Sequence, residues 1–243
     1  MARIRHPEDI KKTFKNVFDN FTNVTILKLI SKGQLDGLES PISIGKEANI
    51  FSALAQGERV MVKIYRIATC DFNKMYDYLR ADPRFPGLDK NRRKVVVLWA
   101  RREYRNLLKA REAGVRVPTP RAVLNNVLVM EFIGDEGIPA PRIKDAIPEN
   151  PKEFFEKVVN GMQKLHKAGL VHTDLSQFNI LNYNEEPVFI DMSQATTLEN
   201  PNAQEYLTRD IKNICTFFRK LGLDIDDEKI RQQITGKKPI RNI

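Results

Sequence analysis

Three side chains able to do acid–base or metal chemistry stand close together in the segment LVHTDLSQFNIL, namely His172, Asp174 and Asn179. The short apolar run VFI then leads to Asp191. A carboxylate can orient or accept the proton of an attacking hydroxyl, and carboxylate and amide oxygens are ligands that hard divalent cations prefer. The same residues would suit a polar turn between a helix and a strand, because Asp and Asn are common turn formers. The segment therefore predicts either a plain turn or a catalytic loop that works with a divalent cation.

The order His-x-Asp-x-x-x-x-Asn, followed by an Asp at the end of a strand, is typical of the catalytic region of protein kinases. In that pattern Asp174 positions the nucleophile, while Asn179 and Asp191 hold the metal ion that is bound to the phosphates. His172 is expected to be structural, packing and hydrogen-bonding behind the loop.

A lysine and a glutamate upstream are predicted to pair. Lys63 lies in the strand-like segment RVMVKIY, on the face opposite to the valines. Glu103 lies in a helical segment over residues 95–113, on one stripe with Trp99 and Leu107. An inward carboxylate is costly unless a cation meets it, so Lys63 is the natural partner of Glu103.

A candidate phosphate-binding loop, SIGKEANI over residues 43–50, precedes the lysine strand. Its spacing follows the glycine-rich loop of kinases, with Ser and Ala in place of two glycines. Small residues allow backbone N–H groups to approach phosphate oxygens, although Gly45 could equally mark a strand bulge. Together with this loop, six kinase elements stand in kinase order, and they include the hinge-like MEFIG at residues 130–134. Their joint occurrence by chance in one chain is rare.

The hydrophobic period and the positions of Gly and Pro predict the remaining elements. We expect one or two short helices in the first forty residues, a long and partly mobile insertion at 66–94, a hairpin at 118–133, a linker at 134–148, helices at about 150–168 and 203–221, and a short basic tail.

These motifs resemble those of the RIO family of atypical protein kinases, and of its type 1 branch in particular, in an archaeal-style minimal form. The run SIGKEANIF is similar to the Ser-Thr-Gly-Lys-Glu-Ala-Asn signature of that branch, and LVHTDLSQFNIL and IDMSQA are similar to its catalytic and metal segments. The likeness extends from Asn23 to Leu221. Ile44 stands for the usual Thr and Thr173 for the usual Ala, and neither position has a catalytic role.

The resemblance implies an α+β, two-lobed, protein-kinase-like fold. The N-terminal lobe would contain an antiparallel β-sheet plus a helix, and the C-terminal lobe would be mainly helical. We expect residues 1–40 to form a helical extension packed on the kinase core, 41–134 the N-terminal lobe, and 135–243 the C-terminal lobe.

The resemblance also implies that ATP and Mg²⁺ or Mn²⁺ are the cofactors. Lys63, fixed by Glu103, would contact the phosphates, and Asp191 could itself accept the phosphoryl group as an aspartyl-phosphate. The residues expected to bind the nucleotide are Ser43, Gly45, Lys46, Glu47, Ile50, Met61, Lys63, Met130, Glu131, Ile133 and Asn179. The backbone of Glu131 and Ile133 would meet the adenine edge.

By resemblance, the expected function is that of a serine/threonine kinase or ATPase with autophosphorylation. It would act in maturation of the small ribosomal subunit and its rRNA, with a pre-small-subunit ribosome and an unknown protein substrate as partners. One alternative is a small-molecule phosphotransferase of the aminoglycoside-kinase type. Another is an ATP-switched rRNA- or ribosome-binding factor with little kinase activity.

Composition sets wider bounds. The chain has 243 residues, and its 42% of hydrophobic residues is ordinary for a globular protein. Its net charge of +9 favours an anionic partner. No apolar run approaches the roughly 20 residues of a membrane span, and the first residues lack the apolar core of a signal peptide, so we expect a cytoplasmic protein with no membrane partner. The two cysteines are far apart and the three histidines are scattered, which argues against a disulfide framework or a zinc site.

Overall fold

The computed structural model describes residues 18–236, which contain six helices and eleven strands. The helices are α1 (Asn20–Ser31), α2 (Phe72–Arg80), α3 (Arg92–Glu112), α4 (Pro151–Lys167), α5 (Ala203–Lys220) and α6 (Asp227–Thr235). The strands are β1 (Gly37–Ile44), β2 (Ala48–Ala55), β3 (Glu58–Tyr65), β4 (Pro120–Leu124), β5 (Val127–Glu131), β6 (Gly134–Asp135), β7 (Ile138–Pro139), β8 (Leu170–Val171), β9 (Ile180–Tyr183), β10 (Glu186–Phe189) and β11 (Thr196–Thr197).

The described residues divide into two compact units. The first unit consists of residues 18–80, Gly87–Tyr104 and Thr119–Pro139. The second unit consists of Ala81–Pro86, Arg105–Pro118 and residues 140–236.

The first unit is built on a five-stranded antiparallel sheet of order β1-β2-β3-β5-β4. Strands β2 and β3 are joined by Gln56 and Gly57, which both have positive φ, of 55° and 79°. Such mirror-image turns match the right-handed twist of the strands they join. The tight turn therefore fixes the register of β3, the strand that carries Lys63.

Strand β3 has one face in an apolar core and a lysine on the other face. Val60, Val62 and Ile64 are buried in a core that also contains Ile26 and Leu29 of α1. Because side chains alternate along a strand, the residues between them point to the other face. That face carries a lysine, and an ion pair described below brings helix α3 against it.

The second unit packs α4 and α5 around an aromatic core. Asn150 caps α4 by accepting from the N–H of Glu153, with Pro151 in the first turn. Phe155 of α4 lies 5.1 Å from Phe218 of α5, measured between ring centroids. The predicted α4 and α5 helices are thus observed within two residues of their expected ends.

Helix α4 also comes very close to strand β10. A Cβ atom placed on Gly161 would lie 2.9 Å from Cζ of Phe189. A larger residue at position 161 would require the buried Phe189 ring or the helix to shift. Glycine thus allows α4 to pack closely on the strand that runs towards Asp191.

Two predictions about local structure are wrong. The segment predicted as a partly mobile insertion contains α2, in which Met75 and Leu79 lie one turn apart and are buried. The segment predicted as a short basic tail contains α6, which is capped by Asp226. In both cases the helix is short and has few apolar residues within a charged stretch, so the sequence shows no helical period of hydrophobic residues that is long enough to predict it.

The predicted α+β class is confirmed by the antiparallel sheet and the helices. Within residues 18–236, every helix is too short or too polar to cross a bilayer. The predicted helical positions before residue 18 lie outside the described residues.

Candidate active site

Lys63 and Glu103 form a buried ion pair in the first unit. Nζ of Lys63 donates to Oε1 of Glu103 at 2.9 Å, and the two side chains are 9% and 1% exposed. The hydroxyl of Tyr65 donates to Oε2 of Glu103, and Nζ of Lys63 lies 5.1 Å from the centre of the Tyr65 ring. Both carboxylate oxygens thus have partners, as a buried charge requires. We call Lys63, Tyr65 and Glu103 the lysine group.

Three residues predicted to hold adenine share the sheet face of Lys63. Ile50 pairs directly with Lys63 across β2 and β3. Met61 pairs with Met130 across β3 and β5, and lies two residues before Lys63. Directly opposed residues point to the same side of an antiparallel sheet. The register therefore brings Ile50, Met61 and Met130 together with the lysine.

The candidate phosphate loop joins β1 to β2. The N–H of Gly45 donates to the carbonyl of Ala48 at 3.1 Å, and a Cβ atom on Gly45 would lie only 2.9 Å from that oxygen. Position 45 thus requires glycine because the backbone approaches itself closely. Ser43 and Lys46 of the same loop are exposed.

The segment after β3 holds this loop through three successive carbonyls. The guanidinium of Arg66 donates to the carbonyl of Gly45 at 3.2 Å. The backbone N–H of Arg66 donates to the carbonyl of Glu47 at 2.9 Å. The hydroxyl of Thr69 donates to the carbonyl of Lys46 at 3.0 Å. Arg66 and Thr69 had no predicted role at the loop, since these contacts are made to backbone groups.

At the predicted adenine edge, one backbone group is already engaged. The N–H of Glu131 donates to the carbonyl of Thr119 at 2.8 Å, and the Glu131 carboxylate accepts from the N–H and hydroxyl of Thr119. Ile133, two residues on, is buried. The strand end is therefore held firmly by side-chain contacts within the first unit.

In the second unit, Asn179 links the other predicted residues. Its amide nitrogen donates to the carbonyl of Asp174 at 2.8 Å and to Oδ2 of Asp174 at 3.2 Å. The backbone carbonyl of Asn179 accepts from the N–H of Ile190 at 3.0 Å, which extends the β9–β10 ladder by one pair. Asp191 is the next residue after Ile190. We call Asp174, Asn179 and Asp191 the acidic group.

Asp191 has an unusual backbone conformation. Its φ is 60°, in the left-handed region that few residues other than glycine adopt. The hydroxyl of Ser193 donates to Oδ1 of Asp191 at 2.7 Å. The carboxylate is thus oriented by a residue two positions later.

His172 has the structural role that the sequence predicted. It is buried, and its Nε2 lies 3.0 Å from the carbonyl of Ile190. Burial lowers the pKa of His172, although the Ile190 carbonyl and the nearby Asp191 and Asp174 oppose that shift. Because a carbonyl can only accept, the neutral ring donates from Nε2 and ties the loop to the end of β10.

Helix α5 clamps the peptide groups on both sides of Asp174. Asp210 accepts from the N–H of Thr173 at 2.8 Å and from the N–H of Leu175 at 2.9 Å. Arg209 donates to the carbonyl of Thr173. Asn213 donates to the carbonyl of Leu175 at 3.2 Å.

Comparison with known proteins identifies the family. The RIO domain profile matches residues 49–230. The chain is 46% identical over 226 residues to the RIO-type serine/threonine-protein kinase Rio1 of Haloferax volcanii, covering 93% of this chain and 78% of that protein. For the Rio1 kinase of Methanocaldococcus jannaschii the identity is 41% over 231 residues, covering 95% and 79%. The chain belongs to the RIO family.

The solved structures agree on the fold. The crystal structure of the Rio2 kinase–ADP/Mg²⁺–phosphoaspartate complex of Chaetomium thermophilum is similar with a TM-score of 0.66 and 21% identity, covering 89% of this chain and 67% of that one. The predicted kinase-like fold and the type 1 resemblance are therefore confirmed. The RIO chain is a protein-kinase phosphotransferase.

Sequence reasoning missed Asp210, although a signal was present. Asp210 lies on the inward stripe of α5, between the buried residues Leu207 and Ile211. Burial raises the pKa of Asp210 to about 7, against the opposing effect of the two N–H groups that it accepts. Its position among apolar neighbours is the same signal that predicted the inward direction of Glu103.

The acidic group carries oxygen atoms of the kind that a magnesium ion prefers. The amide nitrogen of Asn179 donates to Asp174, so its side-chain oxygen is not used in these two contacts, and Asp191 supplies a carboxylate. In residues 18–236, no three His, Cys, Asp or Glu side chains gather into a metal site. Mg²⁺ commonly takes only one or two protein ligands and completes its shell with phosphate oxygens and water. The RIO chain therefore offers the donors that this ion needs.

The two thiols have no place in this chemistry. Cys70 and Cys215 are both free and buried. Burial raises the pKa of each, for Cys215 to about 12, so neither is a thiolate at neutral pH.

Proposed function

We propose that this RIO chain transfers the γ-phosphoryl group of ATP with Mg²⁺, or Mn²⁺ in its place, to a serine or threonine hydroxyl. Lys63, fixed by Glu103, contacts the phosphates, and Asn179 and Asp191 hold the ion. Asp174 receives or orients the proton of the attacking hydroxyl. The observation that supports this most directly is the position of Asn179, which joins Asp174 to the end of the strand before Asp191.

The same residues support a nucleotide site in the first unit. Ile50, Met61 and Met130 share a sheet face with Lys63 and supply apolar surface for adenine. Ser43, Gly45, Lys46 and Glu47 cover the phosphates in this proposal, and the backbone of Glu131 and Ile133 meets the adenine edge. The glycine at position 45 is required by the loop itself, which keeps side-chain bulk away from the phosphates.

Asp191 is also proposed as a transient phosphoryl acceptor. One of its carboxylate oxygens would attack the γ-phosphorus while the bond to the β-phosphate oxygen breaks, which gives ADP and an acyl phosphate. Water would then release inorganic phosphate and restore the carboxylate, which completes a slow ATPase cycle. The phosphoaspartate in the similar Rio2 complex supports this proposal.

The decisive experiment incubates the pure protein with γ-labelled ATP and Mg²⁺. We expect Asp174→Asn to lower transfer to protein hydroxyls by about 10²–10⁴-fold, the usual contribution of a positioned acid–base group. Asp191→Asn should abolish both hydroxyl transfer and any label that hydroxylamine releases. Label that is stable to acid reports phosphoserine or phosphothreonine, and label released by hydroxylamine reports an acyl phosphate.

Asp224→Asn is the matched control, because Asp224 is an exposed aspartate of the same unit outside the acidic group. It should behave as wild type. Wild-type rates in either Asp174→Asn or Asp191→Asn would show that the roles of these carboxylates are assigned wrongly.

We further propose that the RIO chain acts in the cytoplasm on a precursor of the small ribosomal subunit. The family resemblance and the net charge of +9 support an anionic ribonucleoprotein partner. Cosedimentation with precursor particles should fall steeply between about 50 and 200 mM salt, as phosphate contacts predict. Binding that is absent at low salt, or insensitive to salt, would argue against this partner. Loss of ATP turnover without loss of binding would favour an ATP-switched binding factor.

A further inference from the structure

The backbone just after Asp191 forms a buried turn that is held from outside. Asn106 of α3 is fully buried, and its amide nitrogen donates to the carbonyls of Met192 and Ala195, each at 2.8 Å. The N–H of Ala195 also donates to the carbonyl of Met192 at 3.2 Å. A single amide group thus holds both ends of the turn.

Arg84 extends this contact into a network. Its guanidinium donates to Oδ1 of Asn106 at 2.8 Å and to the carbonyl of Ala195 at 3.3 Å. Asp82, whose side chain is buried, holds the guanidinium by two parallel contacts of 2.9 and 2.6 Å. All the polar atoms of the Asn106 side chain are therefore engaged, and such satisfied buried networks specify one arrangement of the backbone.

The held turn determines where the carboxylate of Asp191 points. Ser193, inside the turn, donates to Oδ1 of Asp191. The left-handed backbone of Asp191 is strained for a residue other than glycine and persists only where its surroundings impose it. The network supplies that constraint, because it fixes the residues that immediately follow.

We propose that Asn106, Arg84 and Asp82 are positioning residues that set the metal affinity of Asp191 by holding the turn of residues 192–195. This inference rests on the proposed role of Asp191 as a ligand of Mg²⁺. The proposed effect passes through the turn, because the network holds the carbonyls of Met192 and Ala195.

The test compares ADP binding by calorimetry with and without Mg²⁺. In wild type, Mg²⁺ should tighten ADP binding through Asn179 and Asp191. Asn106→Ala should raise the Mg²⁺ concentration needed for half of that tightening by about tenfold, the lower end of the effect of residues that orient metal ligands. Its affinity for ADP without Mg²⁺ should stay within about twofold of wild type, since Lys63 and the sheet are unchanged.

Arg84→Gln gives a second variant that keeps the proposal testable should Asn106→Ala fail to fold, because the Arg84 side chain is 23% exposed. It should shift the Mg²⁺ requirement in the same direction by a smaller factor. The double variant should shift it by less than the product of the two single shifts, because the residues form one network.

Asn200→Ala is the matched control. Asn200 is a buried amide of the same unit, and its side chain donates to the hydroxyl of Thr196 and accepts from the N–H of Asn202. It should lower thermal stability and leave the Mg²⁺ requirement unchanged. If Asn106→Ala and Arg84→Gln behave like Asn200→Ala while Asp191→Asn has lost its Mg²⁺ response, the network is merely structural and the inference is wrong. If Asp191→Asn keeps the wild-type Mg²⁺ response, the proposed metal role fails and the inference fails with it.

Discussion

The lysine group and the acidic group are held in place by different means. Lys63, Tyr65 and Glu103 lie on regular elements and hold one another through their side chains. Asp174 and Asp191 lie on loops, and other side chains hold the backbone around them. The backbone of a strand or helix is fixed by the hydrogen bonds of that regular element, whereas the backbone N–H and C=O groups of a loop need hydrogen-bond partners from other parts of the chain. The two groups should therefore respond differently to substitution.

The largest effect is expected when the lysine group loses its charge pair. Glu103→Gln should lower the free energy of unfolding by roughly 3–5 kcal/mol, because it leaves the buried ammonium of Lys63 without a counter-charge. The KM for ATP should rise as well. Denaturant unfolding and steady-state kinetics measure the two effects.

Two further variants test this prediction: Tyr65→Phe should have a smaller effect, and Asp89→Asn is the control on the surface. Tyr65→Phe removes one donor to the Glu103 carboxylate, so its effect should have the same direction and a smaller size, about 1.5–3 kcal/mol. Asp89 pairs with Lys94 on the surface, where both side chains are more than 60% exposed, and Asp89→Asn should remain close to wild type. A Glu103→Gln protein as stable as Asp89→Asn would contradict the idea that the lysine group depends on its ion pair.

A smaller effect on stability, with a distinct pH signature, is expected in the clamp behind the acidic group. Asp210→Asn keeps the shape of the side chain but can accept from only one of the two N–H groups beside Asp174. Loss of one hydrogen bond to a charged group costs about 1.5–3 kcal/mol, so kcat should fall by roughly 10–100-fold. The KM for ATP should change little, because the first unit is untouched.

The pH dependence follows from the pKa of Asp210, which burial raises to about 7. Between about pH 4 and pH 7 the folded protein binds more protons at this group than the unfolded chain does, so stability contributed here falls as pH rises through that window. The rate should instead rise as pH passes 7, because the ionised carboxylate accepts from both N–H groups. Asp210→Asn should lack both dependences in unfolding and pH–rate profiles. A variant with the wild-type pH–rate profile would show that Asp210 does not control the loop.

The same contrast explains what the sequence could reveal. Period and alternation predicted the inward direction of Glu103 and the position of Lys63 on the face opposite to the valines, because regular elements repeat. The order of motifs predicted the family and fold. Asp210 was predictable by the same reasoning as Glu103, since it stands in an apolar stripe.

The contacts of Asn106 were not predictable in this way. Asn106 donates to the backbone carbonyls of Met192 and Ala195, which lie 86 and 89 positions further along the chain. Every residue has a backbone carbonyl, so the side chains at these positions give no indication of the contact. Asp82 and Arg84 lie in a stretch whose charges and prolines suggested mobility. Their role depends on tertiary packing that no local pattern encodes.

The contact between Gly161 and Phe189 limits how this kinase can be engineered. Alanine in place of glycine inside a helix ordinarily gains about 0.5–1 kcal/mol, so a helix-strengthening redesign would choose position 161 of α4. Here the added methyl group would meet the Phe189 ring at 2.9 Å and push on the strand that precedes Asp191. A substitution at Gly161 that stabilises α4 would therefore disturb the position of the Asp191 carboxylate, thirty positions further along the chain.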